Sequence, residues 1–304
     1  MDIYDFVDES IVFQNESMAT HTSFHTGGPA GCLVTPRNAT DIIDALRYVK
    51  AADKNVFTMG CGSNLLVSDE GFDGVVIKIC EKFSDCYVLC EDDTTVTIRA
   101  QAGCRLSKLA NFAAKLSCTG MEALSGIPGS VGGAVRMNAG AYDGQIADVL
   151  IASDYIDIES LSINTKSADE HRFGYRFSTY QEENNIILSA DFMLNKTDDS
   201  KSVYDKMKEL NKRRADKQPL EYPSAGSTFK RPEGYYAGAL IEQNGLKGYR
   251  VGGACVSEKH AGFVINVENA TSDDIFKVIK HVRKTVLDSN KVDLKPEIVF
   301  LGNF

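Results

Sequence analysis

The sequence predicts a mixed fold of helices and short strands, followed from about residue 203 by a region of different character. Three observations lead there. Residues 40–52 set Ile42, Ala45, Leu46 and Val49 on one face, which is the 3.6-residue period of an amphipathic helix. The β-rich runs 56–59 and 74–79 and the alternating stretch 94–100 are strand-like, with Gly-rich turns between them. Beyond 203 a charged helical stretch to 216 is followed by Pro219, Pro223 and Pro232, which places a domain boundary near its start.

The elements follow in order. Thr40 offers a side-chain oxygen to cap the first helix. Gly60 and Gly62, then Gly71 and Gly74, punctuate the early strands. From Arg105 to Leu116 the helical period returns through Leu106, Leu109, Ala110, Ala113 and Leu116. Residues 120–144 are so rich in glycine that a long binding loop is expected in place of a regular element. The stretch 149–192 reads as strand-rich. Thr271 and Asp274 form a capping-box variant ahead of a last helix whose face is Ile275, Val278, Ile279, Val282 and Val286. Residues 295–300 read as a closing strand, and no repeat of fixed period is present.

Composition narrows the function classes. With 304 residues, 43% hydrophobic and 25% charged, the chain can bury cores in two or three units, which excludes disorder and a disulfide-stapled miniprotein. Its net charge of −9 argues against a broad polyanion-binding surface, since nucleic acid requires concentrated cations. Small anions remain possible ligands. The acidic start Met1–Asp5 lacks a secretory pattern, and no apolar run approaches the roughly 18 residues of a spanning helix, so a soluble cytoplasmic chain is expected. In that compartment the eight cysteines, at 32, 61, 80, 86, 90, 104, 118 and 255, are expected as reduced thiols. The spacing of Cys80, Cys86 and Cys90 fits no zinc pattern and no paired-His or Asp-x-Asp cluster is present, so no metal is expected. His21, His25, His171 and His281 read as surface or core residues.

Three motifs carry chemistry. In Gly60-Cys61-Gly62-Ser63-Asn64-Leu65 two glycines allow successive N–H groups to converge, a nest suited to pyrophosphate, while a plain tight turn accounts for the same residues. The third glycine of a dinucleotide fingerprint is absent. The stretch Gly126-Ile127-Pro128-Gly129-Ser130-Val131-Gly132-Gly133-Ala134, continuing to Asn138 and Ala141, would let a flat ligand lie on backbone amides, or would let backbones pack closely. Finally Arg213, Arg214, Lys217, Lys230, Arg231, Lys259 and His260, with Ser224 and Ser227, concentrate basic and hydroxyl groups suited to an anionic substrate. No Gly-x-Ser-x-Gly elbow supports a serine hydrolase.

Taken together, the blocks at 26–28, 60–64, 126–134, 137–142, 175–176, 217–220, 224–232, 260–263 and 296–298 resemble the UDP-N-acetylenolpyruvylglucosamine reductase (MurB) family, over nearly the whole chain. The resemblance implies an α+β protein: an FAD-binding fold of the vanillyl-alcohol-oxidase-like (PCMH-type) class in two subdomains, 1–85 and 86–202, and a substrate domain at 203–304. It implies non-covalent FAD on Gly60, Cys61, Gly62, Ser63, Asn64, Leu65, Gly126, Ile127, Pro128, Gly129, Ser130, Gly132, Gly133, Ala134 and Asn138. NADPH would reduce the flavin, which would pass hydride to UDP-N-acetylglucosamine enolpyruvate in peptidoglycan precursor synthesis.

The roles implied for single residues follow the same resemblance. Arg176 would stabilise the enolate, Ser227 would deliver the proton, and Glu297 would stabilise or protonate the enol intermediate. Tyr175, Lys217, Arg231 and His260 would contact the substrate. About 50 residues separate Arg176 from Ser227, which matches the shorter, second type of the family. A monomer with no nucleic acid or membrane partner is expected. Cys61, Arg136 and Asp143 depart from the family pattern. An oxygen-using alcohol oxidase of the same fold and a non-catalytic flavin or UDP-sugar binder are the competing classes; the lack of a covalent-flavin His signal and the Ser227/Glu297 pair weigh against the first, and the presence of Arg176, Ser227 and Glu297 against the second.

Overall fold

The computed structural model describes all of residues 1–304. The chain forms two compact units, each assembled from three separate stretches: unit 1 from Met1–Phe13, Leu33–Cys61 and Val76–Arg214, and unit 2 from Gln14–Cys32, Gly62–Val75 and Ala215–Phe304. A four-stranded sheet has the order Val12–Ser17, Pro29–Val34, Phe72–Lys78, Asn55–Met59. Through its first three strands the chain passes from one unit to the other.

Unit 1 is built on an antiparallel sheet with the order Ile163–Ser167, Leu150–Ile156, Ile186–Lys196, Thr95–Gln101, Cys86–Glu91. The alternation along 95–101 explains its position, since Val96, Ile98 and Ala100 are buried. Helix Leu106–Lys115 buries Leu106, Leu109, Ala110 and Ala113, the face its period requires. Helix Ala39–Ala51 buries Ile42, Ala45, Leu46 and Val49, but its cap is Asn38 and not Thr40: Asp41 N donates to Asn38 Oδ1 at 3.0 Å. The helix starts two residues earlier than a Thr40 cap would set it, so Thr40 already lies in its first turn.

An ion cluster crosses the unit 1 sheet. Arg99 stands opposite Asp191 in register and donates to it through Nε and Nη2, both at 2.7 Å, while its Nη1 lies 3.0 Å from Asp154. Asp191 is only 5% exposed, so the pair sits where water screens it little. Replacing Asp191 with alanine removes the bidentate partner and leaves a half-buried guanidinium facing one carboxylate. The expected loss is about 3 kcal/mol, read as a lower urea midpoint by circular dichroism. An unchanged midpoint would show that the sheet does not depend on this pair.

Unit 2 has its core among Leu240, Ile241, Ala254, Val256, Val264, Ile275, Val278, Ile279, Val282, Val286 and Leu294. Helix Ser272–Asn290 contributes its predicted face to that core. The capping box closes reciprocally, Asp274 N donating to Thr271 Oγ1 at 3.0 Å and Thr271 N to Asp274 Oδ2 at 3.1 Å. The helix packs on an antiparallel sheet of Arg250–Val251, Ala254–Val256 and Val264–Asn266. The closing strand is shorter than expected: only Val299–Leu301 pairs, in parallel, with Leu65–Val67. Residues 295–297 bond elsewhere, because Lys230 N donates to Lys295 O at 2.8 Å and Glu297 N to Thr228 O at 2.9 Å. One extended segment thus serves two partners. No helix in the chain is long and apolar enough to cross a membrane.

Candidate functional site

The second Gly-rich stretch contains regular structure where a loop was expected. Val131–Met137 is a short helix, followed by the tight pair Gly140–Ala141 and Gly144–Gln145. The helix forms in spite of its glycines because Ser130 Oγ caps it, accepting from Gly133 N at 3.4 Å, and Val131, Ala134 and Val135 are buried. Its two glycines do different things. A Cβ on Gly132 would lie 3.0 Å from the Ala102 Cβ, so that residue permits close packing. Gly133 is exposed, and a Cβ there would meet only Ser130 Oγ at 3.5 Å, leaving bare backbone toward the surface.

Asn138 ends the helix in the left-handed region at φ 42°. Its amide donates to Gln145 Oε1 at 3.1 Å and Gly174 O at 3.0 Å, and its Oδ1 accepts from Ala147 N at 3.0 Å. The Asn138 side chain therefore pins the hairpin and the 174 turn to the helix end. Gly126 packs against helix Ser200–Lys217, where its Cβ would stand 2.4 Å from Asn211 Oδ1.

The first Gly-rich stretch is divided between the units. Gly60 and Cys61 belong to unit 1, where a Cβ on Gly60 would fall 2.0 Å from Ser130 Oγ. That contact brings the start of one Gly-rich stretch against the middle of the other. Ser63, Asn64 and Leu65 belong to unit 2, where Asn64 Nδ2 donates to Glu297 O at 3.1 Å and Leu65 is buried in its strand. Within unit 1 the bare backbone at Gly133 and the close approach of Gly60 to buried Ser130 fit a flat, phosphate-bearing cofactor that lies directly on main chain.

Tyr175 and Arg176 form the tip of a two-residue turn, with Gly174 N donating to Phe177 O at 3.1 Å and Phe177 N to Gly174 O at 3.2 Å. Arg176 has φ 54°, a conformation an L-residue holds only when its neighbours impose it. Here Gln181 Nε2 donates to Arg176 O at 2.9 Å, and Arg176 Nη2 donates to Gly140 O at 2.9 Å. The guanidinium is thereby placed at the end of the second Gly-rich stretch. Between Arg176 and Ser227 the chain is taken up by Tyr180–Glu183, Ile186–Lys196 and Ser200–Lys217, which leaves no room for an additional long loop.

In unit 2 one residue organises the rest. Thr228 is fully buried, donates through its N to Gly262 O at 2.8 Å, accepts at Oγ1 from Val264 N at 3.0 Å, and accepts at its carbonyl from Glu297 N at 2.9 Å. It ties the exposed Ser227, the partly exposed Glu297 and the 260–263 segment to a single point. No local pattern marks Thr228 as a hub, since its partners lie more than 30 residues away.

His260 Nδ1 accepts from Gly262 N at 3.1 Å, so the ring proton is assigned to Nε2. Burial lowers its affinity for a second proton, which leaves a neutral ring able to donate from Nε2. Arg231 lies 4.0 Å over the Tyr236 ring, and Lys217 ends its helix exposed. The basic cluster expected from sequence is partitioned: Arg213, stacked 4.8 Å over Tyr142, and Arg214 belong to unit 1, whereas Lys217, Lys230, Arg231, Lys259 and His260 belong to unit 2.

Comparison with known proteins adds three findings. Residues 218–301 match the family described as UDP-N-acetylenolpyruvoylglucosamine reductase, C-terminal domain, and residues 30–159 match an FAD binding domain. The chain is 46% identical over 288 residues to the UDP-N-acetylenolpyruvoylglucosamine reductase of Clostridium tetani, covering 95% of this chain and 91% of that protein. It is 45% identical over 298 residues to that of Caldanaerobacter subterraneus, covering 98% and 96%. The crystal structure of the Thermus caldophilus UDP-N-acetylenolpyruvylglucosamine reductase superposes with a TM-score of 0.80 at 31% identity, over 94% of this chain and 98% of that one.

Proposed function

Since the chain belongs to the UDP-N-acetylenolpyruvoylglucosamine reductase family and is an FAD-binding oxidoreductase of peptidoglycan precursor synthesis, we propose that it uses NADPH to reduce UDP-N-acetylglucosamine enolpyruvate to UDP-N-acetylmuramate. The observation that supports this reading is the Thr228 junction, where Glu297 N donates to the carbonyl of Thr228, the residue that follows Ser227, so that a hydroxyl residue and a carboxylate residue flank one buried point. A reduction of this kind needs a proton at one carbon of the double bond and control of charge beside it.

FAD, when bound, supplies hydride to the terminal carbon of the enolpyruvyl group. In unit 1 Gly60, Cys61, Gly126, Ile127, Pro128, Gly129, Ser130, Gly132, Gly133, Ala134 and Asn138 are the residues assigned to hold it. Gly62, Ser63, Asn64 and Leu65 are assigned to FAD by the same family likeness. Charge develops on the substrate carboxylate as its neighbouring carbon gains carbanion character. Arg176, permanently protonated and held by Gly140 O, is assigned to that charge.

Ser227 Oγ donates the proton to the adjacent carbon; a hydroxyl is a weak acid, but a carbanion is a strong enough base to take its proton. Glu297 stabilises or protonates the enol form. Tyr175, Lys217 and Arg231 hold the anionic substrate, and His260 does so as a neutral Nε2–H donor.

The test is a visible spectrum of the purified protein, taken anaerobically before and after NADPH and then after the enolpyruvyl sugar. A yellow band that bleaches with NADPH and returns with the sugar is the expected result. Failure to retain or take up FAD would overturn the assignment of both Gly-rich stretches, and bleaching that only oxygen reverses would overturn the substrate.

A further inference from the structure

We propose that Cys61 and Cys80 form a reversible disulfide that weakens the hold of the first Gly-rich stretch on its cofactor. The second half of this statement rests on the FAD reading above, while the first half does not. Cys61 is among the residues assigned to hold FAD, and neither thiol takes part in the proposed hydride or proton transfer.

The geometry comes from the sheet. Strands Asn55–Met59 and Phe72–Lys78 are neighbours, and beyond their ends Ile79 N donates to Met59 O at 2.9 Å. Cys61 and Cys80 therefore leave adjacent strand ends side by side, which places the Cys80 thiol to donate toward the Cys61 sulfur. Cys80 is buried and Cys61 is partly exposed, so an oxidant in solution meets Cys61 first. The charged groups around them are Arg105, paired with Glu81 at 2.9 Å, and Lys78.

These surroundings distinguish the two sulfurs. The hydrogen bond from Cys80 holds the Cys61 thiol below the ordinary range, against its burial, and the positive charges of Arg105 and Lys78 add to that effect. The same hydrogen bond and burial push Cys80 up. Cys61 is thus the attacking thiolate and Cys80 the resolving thiol. The neighbouring pair Cys86 and Cys104 differs, since burial pushes the Cys104 thiol up to about 12 and leaves no ready thiolate.

With a small-molecule disulfide such as oxidised glutathione the exchange balances. The Cys61 thiolate attacks one glutathione sulfur, forming a mixed disulfide and releasing one glutathione thiolate. Cys80, no longer opposed by a neighbouring thiolate, loses its proton and attacks the Cys61 sulfur, releasing the second glutathione. Two protein thiols are oxidised, one disulfide is reduced to two thiols, and the thiol protons pass to the released thiolates. Closing the bond draws Cys61 toward Cys80. Gly60, next to Cys61, lies against Ser130, whose Oγ would stand 2.0 Å from a Cβ at Gly60. A shift of Gly60 therefore reaches Ser130, which caps the helix of the second Gly-rich stretch.

The test uses the FAD-loaded full chain, incubated with oxidised glutathione and then with dithiothreitol. Thiols are counted, cross-links are mapped by peptide mass spectrometry, and FAD affinity is followed by flavin fluorescence. The expected result is loss of two thiols, a Cys61–Cys80 cross-link, a roughly tenfold weaker hold on FAD, and recovery on reduction. Cys80→Ser and, independently, Cys80→Ala should show parental turnover when reduced and form no cross-link; Cys80→Ser, whose hydroxyl can still donate to Cys61, should accumulate a glutathione adduct on Cys61, and Cys80→Ala, which loses that donor, should form it more slowly. A stable Cys61 adduct in the parent, a cross-link elsewhere, or a Cys61–Cys80 cross-link without change in FAD affinity would each overturn the proposal. If the protein binds no FAD under any condition, the cross-link map still decides the disulfide, and the cofactor reading fails separately.

Discussion

Ser227→Ala is expected to leave the bleaching of FAD by NADPH at the parental rate and to slow its return on adding the enolpyruvyl sugar by roughly 10²- to 10⁴-fold, the range for loss of a general acid. The structure makes this a clean substitution. Ser227 is exposed, and the bonds that shape its surroundings belong to its neighbours: Thr228 N to Gly262 O, Val264 N to Thr228 Oγ1 and Glu297 N to Thr228 O. Removing one hydroxyl leaves all three in place. Stopped-flow absorbance of the two half-reactions separates the outcomes. Equal slowing of both would assign the defect to FAD binding or folding and remove Ser227 from the proton transfer.

Arg176→Met is expected to slow the sugar half-reaction by about 10²- to 10³-fold, the usual result of deleting one donor that faces developing negative charge. Arg176→Lys should fall between parent and Met, because an ammonium keeps the charge but not the planar fork that also reaches Gly140 O. The left-handed backbone at φ 54° is equally strained for all three side chains, so the substitutions leave the conformational cost at this turn unchanged. FAD content and the NADPH half-reaction should stay near parental. A raised KM for the sugar with unchanged kcat would make Arg176 a uniform binding contact and remove it from transition-state stabilisation.

Local pattern made the helices legible. The buried faces of 39–51, 106–115 and 272–290 are those the 3.6-residue period singles out, and the Thr271 capping box closes as its spacing requires. Where the reading failed, the cause was a contact distant in sequence. The helix at 131–137 contradicts the low helix propensity of its glycines, because Gly132 must lie against Ala102 and Ser130 caps the turn. The closing strand is cut short because Thr228 and Lys230, far upstream, compete for the backbone of 295–297.

The family and its FAD-binding character were readable from the chain only through the resemblance of its motif blocks, since the glycine patterns by themselves fit a tight turn or close backbone packing equally well. Burial faces were readable from the local period. Which stretches share a compact unit was decided only by the tertiary structure, where residues as distant in sequence as 14–32 and 215–304 fold together. So were the hub role of buried Thr228 and the placing of Cys61 and Cys80 at adjacent strand ends. Each depends on hydrogen bonds or packing between segments that no local period relates, and such contacts exist only once the sheets have set their strand order.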